Sequence, residues 1–281
     1  NISMDHTQFL GSTLEQIAGE KAGIIKTNVP VIIGESTPET RHVFETKAQE
    51  VGAPIIFAED NQYVVSSEPT EDGGRLYHTR QWGEIKGELG GLCQEKNTNT
   101  ILNAMLPLAH ALHDCGILRA KGVKKGIALN GKWSMQIIRE AFATVKTATG
   151  IVGRWQKIAD APLTICDTGH NVGGWQYLSQ QLSMQKAKHK HIVFGMVDDK
   201  DIHTVLDMLP KDATYYFTQA DTHRAIMAEK VCQLASEHGL SGTAYSDVYS
   251  AYRAAIEAAQ SEDFVFIGGS SYVVSDFLTI F

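Results

Sequence analysis

The sequence predicts an α/β protein of two parts, the second a doubly wound Rossmann-like unit built on a mostly parallel sheet. Two observations carry this. In the second half, short apolar β-rich runs alternate with amphipathic helical stretches over about 130 residues, the pattern of a sheet covered on both faces. In the first half, two buried strands flank one helix, and a set of alternating strands then reads as an antiparallel insertion. The rhythm changes at Gly150–Arg154, which divides the chain into 1–149 and 150–281.

The strands of the second part are PLTIC (162–166), HIVFG (191–195), TYYFT (214–218) and DFVFIG (263–268), with GTAYS (242–246) a weaker candidate. Between them VGGWQYLSQQLSMQ, IHTVLDMLP, HRAIMAEKVCQLASEHG and VYSAYRAAIEAAQ carry apolar residues at helical spacing. In such sheets the ligand site lies beyond the carboxyl ends of the strands, which draws attention to the residues after PLTIC. In the first part TLEQIAGEKAG reads as a helix, with Thr13 and Gln16 forming a capping box and Gly23 the stop. VPVIIGE and APIIFAED are strands around the helix of TPETRHVFETKAQEVG. QYVVSSE, GRLYHTR and GEIKGEL follow as the insertion, turning at Glu71–Gly74, and two amphipathic helices, NTNTILNAMLPLAHALHDCG and WSMQIIREAFATV, complete the part.

Composition bounds the function. Of 281 residues 43% are hydrophobic and 20% charged, as in a globular protein with a sizeable core. The formal net charge of −7 argues against a general nucleic-acid binder, though a local basic cluster for small anions is compatible with it. No apolar run approaches bilayer length and no signal peptide precedes Asn1, so a cytoplasmic protein is expected. Cys93, Cys115, Cys166 and Cys232 are spread without C-x-x-C spacing, which speaks for reduced thiols and against a zinc site.

Several stretches are candidates for chemistry. DTGHN (Asp167–Asn171) leaves a buried strand and enters a Gly-Gly helix. A carboxylate, an imidazole and an amide there can address ribose, phosphate or an amine, or Asp167 or Asn171 simply caps the helix. Gly126–Trp133 has G-x-x-x-x-G-K but places Trp133 where a phosphate loop needs Ser or Thr, and no other stretch fits that loop. Asp5 and His6 can ligate a hard metal or make ordinary loop hydrogen bonds. Lys21, in the last turn of its helix, complements the helix dipole. Gln94 and Asn97 open the long helix after Gly90-Gly91, where two amides can read a base edge or cap the helix. Arg154 suits a phosphate clamp or a surface pair. His189-Lys190-His191 reads as a solvated turn, and Met184, Met196 and Met208 as core or near-core residues.

Together NISMDH, LGSTLEQIAGEKAGIIK, GLCQEKN, GRW, CDTGHN, GMVDDKD and GGSSYVVSDFL resemble, in order and across nearly the whole chain, the folylpolyglutamate synthase and dihydrofolate synthase branch of the Mur ligases. The resemblance implies an ATP- and Mg2+-dependent, cytoplasmic, monomeric ligase that adds L-glutamate to dihydropteroate or reduced folates. It assigns magnesium binding to His6 and to Lys21 as a carbamate. It assigns adenine contact to Asn97, ATP phosphate contact to Arg154 at an interdomain hinge, nucleotide contact to Asp167, and terminal phosphate or glutamate to His170. Cys93 stands where the family has an aromatic residue or His. The family's phosphate loop lies upstream of NISMDH, so the resemblance also implies that residues 1–149 are the C-terminal part of the central ATPase domain and that the 281 residues alone are inactive. A Mur-type ligase of cell-wall precursors and a non-catalytic nucleotide-binding module are the rival readings.

Overall fold

The computed structural model describes residue 2 and residues 11–114, 128–129, 132–133, 135–198 and 200–280. The chain divides into two compact units, Asn1–Gly150 and Ile151–Phe281.

In the first unit, helix α1 (Leu14–Ala22) starts where Thr13 Oγ1 accepts the N–H of Gln16. The reciprocal bond of the expected capping box falls one residue early, from Ser12 N–H to Gln16 Oε1 at 2.8 Å. The helix stops at Gly23, which keeps right-handed angles while its N–H bonds back to Glu20 and Lys21. Strands β1 (Val31–Ile33) and β2 (Ile55–Phe57) pair in parallel around α2 (Pro38–Glu50). Ala18 and Ala22 of α1, Phe44 and Ala48 of α2, and Phe57 share one small core. The insertion is an antiparallel meander of β3 (Val64–Pro69), β4 (Arg75–Thr79) and β5 (Gly83–Gly87), turning at Thr70–Gly74 where Gly73 has φ +84°. It packs Val64, Tyr77 and Ile85 on Leu102 of α3 (Cys93–Asp114) and Ile138 of a later helix.

One side chain ties this unit together. Asn99 of α3 is buried, its Oδ1 accepts the N–H groups of Tyr63 and Val64 at 2.8 and 3.2 Å, and its Nδ2 donates to the Ala58 carbonyl at 2.7 Å. Those groups span the turn between β2 and β3 and the first residue of β3. Asn99→Ala is expected to destabilise the unit by about 1–3 kcal/mol, because a buried group left without its partner costs that much; chemical unfolding of the variant checks it.

Past α3, β6 (Ala128–Leu129) and β7 (Lys132–Trp133) pair antiparallel. This pairing occupies part of the Gly126–Trp133 segment; Gly126, Asn130 and Gly131 lie outside the described residues, as does Cys115. Helices α4 (Met135–Ala143) and α5 (Val145–Thr149) end the unit, and Gly150 closes α5 in the left-handed region at φ +69°.

The second unit is a six-stranded sheet ordered β12-β11-β10-β13-β9-β8. Its strands are β8 (Gln156–Asp160), β9 (Leu163–Asp167), β10 (Lys190–Phe194), β11 (Thr214–Phe217), β12 (Ser241–Ala244) and β13 (Phe264–Gly268). Five run parallel; only β8, at the edge, is antiparallel. Helices α6 (Val172–Ser183), α7 (Ile202–Met208), α8 (Ala228–Glu237), α9 (Val248–Ala258) and α10 (Ser271–Leu278) make the connections. The two-residue period of the strands explains the double winding. Ile192, Phe194, Phe264, Phe266 and Phe217 face one core with Trp175, Leu178 and Leu182 of α6. Val193, Val265, Ile267 and Tyr216 alternate with them and face a second core with Ala251 of α9 and Phe277 of α10. An α/β protein with a doubly wound second unit is the observed class. Strand β13 inserts between β9 and β10, so the chain changes direction there and opens the crevice in which such sheets hold ligands.

Three local expectations are corrected. His189-Lys190-His191 is not a solvated turn: β10 begins at Lys190, and Lys190 and His191 are buried. They survive there because Lys190 Nζ donates to Asp212 at 3.0 Å and the His191 ring lies between the Tyr216 hydroxyl, 2.9 Å away, and the Asp263 carboxylate. Met196 is in the core and Met208 packs against it, but Met184 is 61% exposed. It caps the C-terminus of α6, past the apolar stripe of Trp175, Leu178 and Leu182. Helix α8 starts at Ala228 rather than at His223, because the Ile226 N–H is bonded to the Met196 carbonyl and the Ala228 N–H to Gln219 Oε1, which leaves Met227 outside the helical region at ψ 136°.

Candidate active site

The best-built loop in the second unit joins the start of β8 to the end of β9. Strand β9 ends on Asp167, whose Oδ2 accepts the N–H of Trp155 at 2.6 Å and whose Oδ1 accepts that of Gly169 at 2.8 Å. Both carboxylate oxygens therefore hold backbone in place. Burial pushes the Asp167 carboxyl from its ordinary value near 3.8 up to about 6, against the opposing pull of those two N–H bonds and of the Arg154 charge.

Thr168 completes the clasp. Its N–H and hydroxyl both donate to the Gly153 carbonyl, at 2.9 and 3.0 Å, and its hydroxyl accepts the Arg154 guanidinium. Gly153 must be glycine: its φ is +68°, and a Cβ would lie 2.6 Å from the Thr168 methyl. Trp155 also sits in the left-handed region, at φ +47°, with its ring packed on Phe264 and Phe266. That packing fixes the backbone on one side of Arg154, and Thr168 fixes it on the other.

The imidazole of His170 has Nδ1 3.1 Å from the Thr168 carbonyl, so Nδ1 carries the proton in the neutral ring and Nε2 is its basic nitrogen. Asn171 then caps α6, its Oδ1 accepting the N–H of Gly174 at 2.9 Å. An exposed guanidinium, an imidazole and a helix N-terminus thus converge at the carboxyl end of β9. That combination suits a phosphoryl or carboxylate group, since the guanidinium and the helix N-terminus favour negative charge and the imidazole offers a nitrogen that can exchange a proton with it.

The structure accordingly brings Arg154, Asp167 and His170 into one loop pair, with Asp167 as its organiser. Gly153 and Thr168 matter as much and were not singled out from sequence. GRW and DTGHN contain them, but only the fold shows that the two motifs clasp each other. Arg154→Ala is expected to leave the unfolding midpoint of the unit nearly unchanged, because the side chain is exposed, while weakening phosphate-bearing ligands; equilibrium binding and thermal unfolding separate the two effects.

The other candidates lie in the first unit. Lys21 is exposed in the last turn of α1. Asn97 is exposed in the second turn of α3 and donates through Nδ2 to Gln94 Oε1 at 3.1 Å. Gln94 is buried and lines an apolar cleft of about 220 Å³ between Tyr77, Thr98, Ile101 and Phe142. Cys93 is the first residue of α3, with its sulfur 3.8 Å from Gln94 Nε2. Asp5 and His6 lie outside the described residues. Among the described residues no group of three or more His, Cys, Asp or Glu side chains is arranged to hold a metal ion. The described residues therefore do not make a magnesium site by themselves: an ammonium such as that of Lys21 repels a cation. Nor is any described helix long and apolar enough to cross a membrane.

Comparison with known proteins bears on the fold. Residues 153–271 match the Mur ligase glutamate ligase domain. The chain is 28% identical over 282 residues to the dihydrofolate synthase/folylpolyglutamate synthase of Escherichia coli (strain K12), covering 100% of this chain and 58% of that protein. The protein of the same description from Bacillus subtilis (strain 168) is 28% identical over 283 residues, covering 98% and 60%. Among solved structures, E. coli FolC in complex with DHPP and ADP superposes with a TM-score of 0.71 at 26% identity, over 99% of this chain and 59% of that one. The Mycobacterium tuberculosis folylpolyglutamate synthase complexed with ADP and AMPPCP gives 0.77 at 22% identity, over 99% and 62%, a likeness of fold. The chain thus spans about 60% of the length of the curated relatives it matches.

Proposed function

We propose that this chain is part of an ATP-dependent ligase that joins L-glutamate to dihydropteroate, to reduced folates, or to both. The observation that carries the reading is the clasp of GRW on DTGHN at the end of β9, within a chain whose whole length aligns with dihydrofolate/folylpolyglutamate synthases. A carboxylate does not condense with an amine unaided, because its leaving group is poor. In the proposed reaction an oxygen of the acceptor carboxylate attacks the terminal phosphorus of ATP, and the bond to ADP breaks. The amine of glutamate then attacks the acyl carbon, loses a proton, and expels inorganic phosphate.

Arg154 would hold the transferred phosphoryl group through charge-assisted bonds, with the N-terminus of α6 behind it. His170, with Nδ1–H committed to the Thr168 carbonyl, would meet the terminal phosphate or the incoming glutamate through Nε2. Asp167 would act by holding both loops, as a positioning residue. Asn97 would contact the adenine beside the cleft that Gln94 lines. ATP and a divalent ion are the cofactors of this reading, with His6 and a carbamylated Lys21 as the proposed metal ligands. Carbamylation would convert the exposed ammonium into an anionic oxygen ligand. Residues 1–149 would then be the C-terminal part of the ATP-binding central domain, and 150–281 the C-terminal domain of a cytoplasmic, monomeric enzyme.

The test is ADP release by the intact gene product with magnesium, glutamate and, in turn, dihydropteroate, tetrahydrofolate or a UDP-muramoyl acceptor, with the 281-residue chain run in parallel. Release with a pterin acceptor supports the proposal. Release with the muramoyl acceptor alone moves the protein to the cell-wall ligases, and nucleotide binding without release makes it a binding module.

A further inference from the structure

A second cluster of imidazoles lies on α7 and the end of α8, outside the loops described above. His203 stands in the first turn of α7 and His238 just past the last turn of α8. Their Nδ1 and Nε2 atoms are 3.1 Å apart, although 35 residues separate them in sequence. The other nitrogen of His238, Nδ1, lies 2.6 Å from Asp207 Oδ1, one turn further along α7.

We propose that His203 and His238 form a two-imidazole binding site for a divalent ion of borderline softness, such as Zn2+ or Ni2+, with Asp207 as the carboxylate that orients His238. The carboxylate accepts the Nδ1 proton of His238 and so turns Nε2 into the lone-pair nitrogen. This is the arrangement that orients and strengthens histidine ligands in metal sites generally. Two nitrogens bound to one tetrahedral ion at ~2.0–2.1 Å lie about 3.3 Å apart, close to the spacing already present.

The backbone supports this division of labour. His238 is held by the closing turn of α8, where the N–H of Leu240 bonds to Ala235, Gly239 adopts φ +73°, and Lys211 Nζ donates to the His238 carbonyl at 2.5 Å. It is the fixed ligand. His203 is exposed, and its ring swings so that its lone pair and that of His238 converge on one point instead of facing each other. On binding, the Nδ1 proton of His203 transfers to its Nε2, and water completes the coordination shell. Imidazole pairs prefer Zn2+, Ni2+ and Cu2+, whereas magnesium prefers oxygen, so this site is chemically separate from any ion that accompanies a nucleotide. Its effect is to staple α7 to the end of α8.

The experiment is titration of the intact, untagged protein with Zn2+ alone, read by calorimetry and by the imidazole resonances of its histidines. One equivalent is expected to bind with the His203 and His238 resonances shifting first. His203→Gln and His238→Gln each lose that equivalent, and Asp207→Asn weakens it about 10–100-fold while keeping both ligands. His203→Gln is exposed and folds normally, which keeps the test clear of folding defects. Unchanged binding in the His203→Gln, His238→Gln double variant, first shifts at other histidines, or full affinity in Asp207→Asn overturns the proposal.

Discussion

Replacing Trp175 by alanine is expected to destabilise the second unit by about 3–5 kcal/mol, the range for truncating a large buried aromatic side chain. Trp175 is fully buried on α6 and packs edge-on against Phe194 of β10 and Phe266 of β13, with ring centroids 5.5 and 6.1 Å away. Those strands lie side by side, so no single neighbour can move in to fill the void. Among the described residues the indole N–H has no hydrogen-bond partner, so no such bond is lost in the substitution. Trp175→Phe keeps most of the volume and is expected to lose much less. Denaturant unfolding of the two variants checks the order, and equal losses would show that the pocket collapses around either side chain. Because α6 also carries the Asn171 cap, the alanine variant is further expected to loosen the loop that holds His170.

The second large effect is expected at Asp167. Asp167→Ala removes the acceptor for two backbone N–H groups at once, a loss of about 1–3 kcal/mol for each group left buried and unpaired. It also releases Trp155 and Gly169, and with them the placement of Arg154 and His170, so nucleotide affinity of the intact protein falls together with stability. Asp167→Asn separates the charge from the bonds: its single oxygen serves one N–H, and its amide opposes the other. The pH dependence has a defined sign. The folded carboxyl titrates at about 6, above its ordinary value near 3.8, so the folded state binds the extra proton. Stability from this group is therefore present at about pH 4 and is lost as pH rises through 6. Asp167→Asn is expected to erase that slope, and a variant that keeps it would place the titration elsewhere.

How far the sequence could be read depended on which interaction decided each feature. The run Phe264–Ile267 is apolar at every position because both faces are covered, and such runs alternating with amphipathic helices identified a doubly wound sheet. Strand β8 escaped notice because Gln156-Lys157-Ile158-Ala159-Asp160 is half polar and lies at an edge, where only one neighbour shapes it. Lys190 and His191 misled for the opposite reason: charged residues suggest solvent unless their partners are known, and Asp212, Tyr216 and Asp263 come from distant strands and turns. The same holds at the site. Asp167 and His170 were visible as residue types at a switch point, and Arg154 as a cation at the boundary between the two parts. The carboxylate's grip on Trp155 and the threonine's on Gly153 were not, because they join segments whose approach only the fold defines. Lys21 lies where the pattern placed it, in the last turn of α1, whereas α3 starts at Cys93, four residues before the Asn97 at which the pattern began it.

The central claim is that a folate carboxylate is activated by phosphorylation and captured by glutamate. It is tested most directly by giving the intact protein dihydropteroate whose carboxylate carries oxygen-18, with ATP, magnesium and glutamate. The account predicts one labelled oxygen in the inorganic phosphate released for each glutamate joined. Unlabelled phosphate, or phosphate formed without a glutamyl product, would contradict it.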